Sequence, residues 1–245
     1  MSTFHPTSSG RQRRSGCTLL PRHRHQDSYL ALVLSGGYEE AGDRGRHRVH
    51  AGDVVVHGAF EAHLNRYEST GAEVLNLVLP NRLEDRLEDC LEDWLEPAAP
   101  LMRSADSDFA VRLAENDPLE AIHFLLSTAK PIPVHASDWP DELALAIAQN
   151  PQLRLGMWAR RYRLADATVS RGFRQVYGLS PSAYRLQLRG RMAWRKALAG
   201  GESLSQLSME TGFSDQAHMT RAVGLITGRT PGAWRRQGSV RTGVK

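Results

Sequence analysis

The sequence predicts a multidomain α and β protein. An N-terminal half of short strands forms a barrel or sandwich. Helices follow, and then an all-α C-terminal domain with two helix-turn-helix motifs joined by a long helix. Three observations predict this. Residues 171–185 (RGFRQVYGLSPSAYR) return fifty positions later as residues 221–235 (RAVGLITGRTPGAWR), sharing Arg171/Arg221, Gly178/Gly228, Pro181/Pro231, Ala183/Ala233 and Arg185/Arg235. Charge is split along the chain. Residues 151–245 hold 17 Lys/Arg and 4 Asp/Glu, whereas residues 1–150 hold 14 and 23, so balances of +13 and −9 lie behind a net charge of +4. Finally, runs rich in β-formers and punctuated by glycine lie within residues 17–80. A repeat of that length is one supersecondary module, and two copies of a basic module suit a two-point grip on an anion. The charge asymmetry argues for two domains with different partners.

The first 16 residues (MSTFHPTSSGRQRRSG) are basic and rich in Ser and Gly, with no apolar stretch of the signal-peptide kind behind them. They read as a disordered arm. No apolar run approaches the length of about 18 residues that a membrane helix needs. Cys17 and Cys90 lie far apart, which suits a reducing cytoplasm and gives no disulfide framework.

Tyr29–Ser35, Asp53–His57 and Val74–Leu79 read as strands, and Gly36-Gly37, Ala51-Gly52-Asp53 and Gly71 as turns. His23 and His25 are two apart, hence on one face of a strand. His47 and His50 lie in a Gly/Arg-rich hairpin and are expected to be exposed.

Residues 81–130 read as a helical linker. In Asn81–Glu96 (NRLEDRLEDCLEDWLE), Leu83, Leu87, Leu91 and Leu95 keep a coherent stripe on a helix. Such a helix either packs on its own domain or, the reading favoured here, forms a homodimer. Residues 105–129 read as helical with a break at Asn116-Asp117-Pro118, and Pro131-Ile132-Pro133 as a short linker.

The last domain spans residues 137–237. A helix starts at Trp139-Pro140 behind Ser137 and Asp138, and a second short one carries Leu155 and Trp158. Asp166 is the expected cap of a helix over 167–177, with Val169, Phe173 and Val176 on its inner side and Gly178 as its stop. Ser180-Pro181 opens a long helix to about Ala199, broken by Gly200-Gly201. The second copy runs from the Ser203 cap over Leu204–Glu210 to a turn at Gly212-Phe213-Ser214. The Asp215 cap then opens a helix over 216–227, and Thr230-Pro231 opens the last one. Residues 238–245 read as a flexible tail. A connecting helix of about 19 residues spans roughly 28 Å, close to the separation of about 34 Å between successive major grooves.

Over residues 137–237, SRGFRQVYGLSPSAYR together with GFSDQAHMTR and TGRTPGAWRR closely resembles the DNA-binding domain of the AraC-type (arabinose-regulator) family of bacterial transcription factors. The resemblance implies double-stranded promoter DNA and RNA polymerase as partners. It implies that the first recognition helix presents Ala167, Ser170, Arg171 and Arg174, and the second Gln216, Ala217, His218 and Arg221. This chain departs from the pattern at Gly224, which stands where the first copy has Arg174, and at Met219, which replaces the usual aromatic residue. On that basis Arg171 is expected to matter more for DNA binding than Arg221.

HRHQDSYLALVLSGG at 23–37 and GDVVVHGAFEAH at 52–63 resemble a cupin barrel, a frequent sensor partner of such DNA-binding domains. The resemblance places His63 beside His23 and His25 as a third inward imidazole. Tyr29 stands where enzymatic cupins carry Glu, and Gly58 and Phe60 stand where the second motif favours Pro and Gly. His57 is a substitute ligand whose direction strand alternation leaves open. Three readings stay open for the imidazoles: a small-effector pocket with Tyr29, a divalent transition-metal site at His23, His25 and His63, or polar residues of structural role. The expected function is an effector-controlled transcription regulator, not an enzyme. The alternative is a metal-dependent cupin enzyme fused to a nucleic-acid-binding domain, which the missing Glu disfavours.

Overall fold

The computed structural model describes residues 8–79, 101–150 and 152–242, with side chains to Gly238. These residues divide between Ser137 and Asp138 into two compact units. The stretch Asn81–Glu96, read above as a dimer helix, lies outside the described residues.

The first unit is built on an antiparallel sheet of eight strands: β1 (Gly10–Arg14), β2 (Leu19–Arg24), β3 (Tyr29–Gly42), β4 (Gly45–His50), β5 (Asp53–His57), β6 (Ala62–Val78), β7 (Leu101–Arg103) and β8 (Lys130–Pro131). Two strands are long and serve twice. The first part of β3 pairs with β5 and with the end of β6, and its second part pairs with β4 and with the beginning of β6. β1 lies along the end of β6 and β2 along its beginning. The register between β3 and β6 shifts at Val33/Ser35 and again at Gly36/Tyr38, where the strands bend. Glycine is required there. Gly36 has φ 70, and a Cβ on it would sit 1.9 Å from the carbonyl oxygen of Gly71.

The bend brings the inner faces of the two halves together. Tyr29, Ala31, Val33, Val55 and Val74 from one half pack with Tyr38, Val49 and Tyr67 from the other. The opposite face of β3 carries Leu30 and Leu32. With Val54, Val56, Leu75 and Leu77 they pack under α1 (Ser107–Asn116) and α2 (Pro118–Thr128), through Ala110, Ala121, Ile122 and Leu125. Tyr29–Val33 reads as an unbroken apolar run because both of its faces are buried. Asp106 and Asp117 cap the two helices, each accepting backbone N–H bonds.

The hydrogen-bonded order is β1-β6-β3-β5-β7-β8, with β2 on β6 and β4 on β3. Among the described residues no pairing joins its ends, and the part of the expected cupin-like barrel that is seen is a bent antiparallel sheet with two shared strands. Three expectations are corrected. The supposed disordered arm over residues 1–16 contains β1: the edge of β6 offers a backbone ladder, and Arg11 and Arg13 pair with Glu73. Pro131-Ile132-Pro133 is not a free linker. Pro131 lies opposite Met102, and Ile132 and Val134 pack on the inner core. The C-terminal tail is helical as far as Thr242, and a Cβ at Gly238 would come within 2.2 Å of the Leu198 carbonyl, so glycine permits this close approach.

The second unit holds α3 (Trp139–Gln149), α4 (Leu155–Arg161), α5 (Asp166–Tyr177), α6 (Pro181–Ala199), α7 (Leu204–Glu210), α8 (Gln216–Thr227) and α9 (Pro231–Thr242). Helix α6 has 19 residues, so it extends about 28 Å. Gly178 and Gly228 stop α5 and α8 in the left-handed conformation, with φ 78 and 74. The two copies solve their cores differently. In the first, Phe173 stacks on Tyr177 (ring centroids 4.6 Å apart) and meets Tyr184 edge-on at 5.3 Å, while the Tyr177 hydroxyl donates to Asp141 Oδ1 at 2.9 Å. In the second, Val223 and Thr227 occupy the places of Phe173 and Tyr177. There the Trp234 indole N–H donates to Thr227 Oγ1 at 2.8 Å.

Candidate functional site

Two regions of the molecule gather functional side chains, and each is built by its local periodicity. In the helical unit, Ala167, Ser170, Arg171 and Arg174 follow i, i+3, i+4, i+7 spacing along α5. Ala167, Arg171 and Arg174 are exposed and Ser170 is half-buried, whereas Val169, Phe173 and Tyr177 are buried on the other side. On α8, Gln216, Ala217 and Arg221 are exposed and His218 is half-buried, opposite the buried Met219, Val223 and Ile226. Both helices therefore present a polar stripe to solvent, each preceded by a shorter helix packed behind it.

The ends of these helices differ. The expected side-chain cap of α5 is absent: Asp166 is its first helical residue, and Ala165 in the cap position makes no side-chain bond. Helix α8 is capped by Asp215, whose Oδ1 accepts the His218 backbone N–H at 2.7 Å. That bond, with one from Ser214, holds the Asp215 carboxyl below its usual pKa. His218 is pinned by Ser214 Oγ at 3.3 Å from its Nδ1 and by the Phe213 ring. Arg185 and Arg189 on α6 serve the scaffold. Arg185 donates to the Leu153 carbonyl and Arg189 to that of Gly212, each at 2.8 Å.

Gly224 sits in the middle of α8, and a Cβ there would meet nothing within 4 Å. Gly224→Ala is therefore expected to raise unfolding stability by about 1 kcal/mol, read from chemical denaturation. A destabilised variant would show that this glycine serves the fold.

Residues 158–237 match the protein-family model described as a helix-turn-helix domain. This chain carries a helix-turn-helix domain. Over 100 residues it is 30% identical to the virulence regulon transcriptional activator VirF of Yersinia enterocolitica, and equally to the thermoregulatory protein LcrF of Yersinia pestis. Each match covers 40% of this chain, and the chain spans 37% of the length of these relatives. Among solved structures, ToxT of Vibrio cholerae aligns over 94% of this chain and 97% of its own, at 8% identity and a TM-score of 0.41. The matched helix-turn-helix domain thus coincides with the repeated segment and its two exposed stripes. Among the described residues, no helix is long and apolar enough to cross a membrane.

In the β unit, a cluster of imidazoles and carboxyls lies between the two halves of the sheet. β2 and β6 pair with His23 directly opposite His63, and β5 and β3 pair with His57 opposite Tyr29. The His23 and His63 rings are 4.4 Å apart, His23 and His25 are 5.0 Å apart, and His25 and Tyr29 are 4.9 Å apart. The structure therefore brings together all four residues named from the sequence, His23, His25, Tyr29 and His63.

It also adds three residues. His57 points inward, 4.4 Å from His63 and stacked on Tyr29 at 4.5 Å. Alternation puts Asp53, Val55 and His57 on one face without saying which, and the packing of Val55 in the inner core decides that this face points inward. His47, expected to be exposed, is buried: it lies opposite Glu40 on β4 and shares the inward face of Val49. His50 is exposed. Glu40 is buried, with Asn65 opposite it on β6 and the Asn65 Nδ2 donating to its carboxyl at 3.4 Å.

Burial sets the protonation of this cluster. It pushes the Glu40 carboxyl up to about 8, with the nearby Glu61 adding to the rise. It lowers His47 to about 4 and holds His57 and His63 well below their usual value, with the neighbouring imidazoles contributing. His47 and His57 stand 3.7 and 3.6 Å from the Glu40 oxygens. With the imidazoles held neutral and the acid protonated at neutral pH, these contacts are not ion pairs. His23 Nδ1 lies 2.8 Å from the Pro21 carbonyl, which can only accept, so Nδ1 carries a proton and donates it there.

One backbone position beside the cluster is strained. Phe60 has φ 60, and its N–H donates to the His25 carbonyl at 2.9 Å. A left-handed bulky residue costs on the order of 1–2 kcal/mol, and here the contorted turn ties the β5–β6 connection to His25.

Proposed function

We propose that the protein is a sequence-specific, DNA-binding transcription regulator whose N-terminal unit binds a small effector. The observation that carries this is the duplicated helix-turn-helix, with polar stripes on α5 and α8 separated by a 19-residue helix. Ala167, Ser170, Arg171 and Arg174 meet one major groove, and Gln216, Ala217, His218 and Arg221 meet the next. The alanines offer methyl contacts and the arginines phosphate or guanine contacts. RNA polymerase is the protein partner of this reading. The relation to a protein named as a transcriptional activator supports activation as the output.

The effector site is the cluster of His23, His25, Tyr29 and His63. It is built of neutral donors and acceptors on a bent sheet, so a ligand there bears on both halves. Regulation requires that the effector bind two conformations unequally.

DNA binding is tested by titrating the protein against the DNA upstream of its own gene at rising salt. The logarithm of the binding constant is expected to fall linearly with that of the salt concentration, by about 0.9 per phosphate contact. Weak, salt-independent binding would overturn the proposal.

A further inference from the structure

Glu40, His57 and His63 come from three different strands, and each is more than nine-tenths buried. One nitrogen from each imidazole and one carboxylate oxygen all lie within 4.8 Å of one another. The His57 Nε2 to Glu40 Oε2 separation is 3.6 Å. That is too long for a hydrogen bond and matches the edge of a coordination tetrahedron, about 3.3–3.6 Å for bonds of 2.0–2.2 Å. His63 Nδ1 is buried with no hydrogen-bond partner among the described residues. Leaving such an atom unsatisfied is destabilising, so a group that completes it would be stabilising.

We propose that Glu40, His57 and His63 bind a divalent first-row transition metal, with His25 at the mouth of the same cluster. Glu40 lies outside the two sequence segments that resemble a cupin barrel, and His57 lies within the second, where it was named only as a substitute ligand. Glu40 is eleven residues beyond the position that Tyr29 fills, and it supplies from the far half of the sheet the carboxylate missing there. Two imidazoles and one carboxylate suit zinc or ferrous iron and leave a coordination position open. A purely imidazole set of His23, His25 and His63 would bring no anion to offset the buried double charge. His23 and His25 lie beside His63, and Tyr29 beside His57, so an effector held by these residues would have its donor atom near the metal.

This inference rests on the reading of the cluster as the effector site, and its test uses no DNA. The full chain, freed of metal with a chelator, is titrated with Co²⁺ and followed by visible d–d absorption, with Zn²⁺ added afterwards in competition. One Co²⁺ per chain with the intense bands of four- or five-coordination is expected, displaced by Zn²⁺. Glu40→Gln and His57→Gln are each expected to weaken Co²⁺ at least ~100-fold, beyond the 10–100-fold typical of losing a mere supporting partner. The exposed-site control His50→Ala is expected to bind as the parent does. Absence of Co²⁺ binding, or binding unchanged by both glutamine variants, would overturn the metal site while leaving the DNA measurement standing. Should Glu40→Gln fail to give a cooperative melt, His57→Gln decides alone. Loss of binding in His23→Gln but not in His57→Gln would assign the metal to the imidazole set instead and likewise overturn the proposal.

Discussion

Replacing Arg171 or Arg221 with alanine is expected to weaken operator binding by about 5- to 150-fold each, the equivalent of roughly 1–3 kcal/mol for a guanidinium contact. Both residues are exposed on the outward stripes of α5 and α8. The sequence alone favours a larger loss at Arg171, because Gly224 loosens the second recognition helix by about 1 kcal/mol. The structure evens the balance. Asp215 caps α8 with a 2.7 Å bond, whereas α5 has no side-chain cap, and such a cap contributes about 1 kcal/mol. The two losses are therefore expected to agree within several-fold. The double variant should fall to the weak, salt-governed binding of a nonspecific basic protein. Measuring each variant on the operator and on scrambled DNA separates the roles: a base-reading arginine loses the operator selectively. A phosphate-binding arginine weakens both DNAs and lowers the salt slope by about 1. A loss at Arg171 exceeding that at Arg221 by a hundredfold would show that helix capping does not govern the second motif.

Phe173→Ala is expected to cost about 3–5 kcal/mol of stability, the range for truncating a fully buried aromatic side chain. Phe173 has no exposed surface. Its ring joins Tyr177 and Tyr184, and Tyr177 in turn holds Asp141 of α3 through its hydroxyl. The cavity would thus open where α3, α5 and α6 meet. Thermal unfolding should show the helical domain melting earlier, and operator binding should fall with the first recognition helix. The corresponding change in the second copy, Val223→Ala, removes fewer atoms and is expected to cost less. If Phe173→Ala melted as the parent does, the aromatic cluster would not be the core of the first motif.

The helical domain was almost wholly legible in the sequence. Its signals are local: Pro181 and Pro231 at helix starts, Ser203 and Asp215 as caps, Gly178 and Gly228 as left-handed stops. Each acts within a few residues of itself, so one chain suffices to read it. The error at Asp166 is of the same scale, a cap displaced by one position.

The β domain was legible only in part. The strands over Tyr29–Ser35, Asp53–His57 and Val74–Leu79 and the trio His23, His25 and His63 followed from alternation and motif. His47 was misplaced, since its Gly/Arg-rich surroundings look like a solvated hairpin although Val49 two residues on marks the inward face.

Sequence by itself determined that this protein carries two helix-turn-helix motifs at fixed spacing on a basic domain, because helical periodicity, caps and stops are short-range. Only the tertiary structure decided that Glu40 faces the imidazoles. Tyr29, Ala31 and Val33 point inward at odd positions, but after the register shifts around Ser35 and Gly36 it is Tyr38 that points inward, and Glu40 follows it. A period of two carries no memory across such a shift. The direction of a side chain beyond a bulge is set by long-range pairing with β6, so Glu40 becomes part of the site only when the two strands meet.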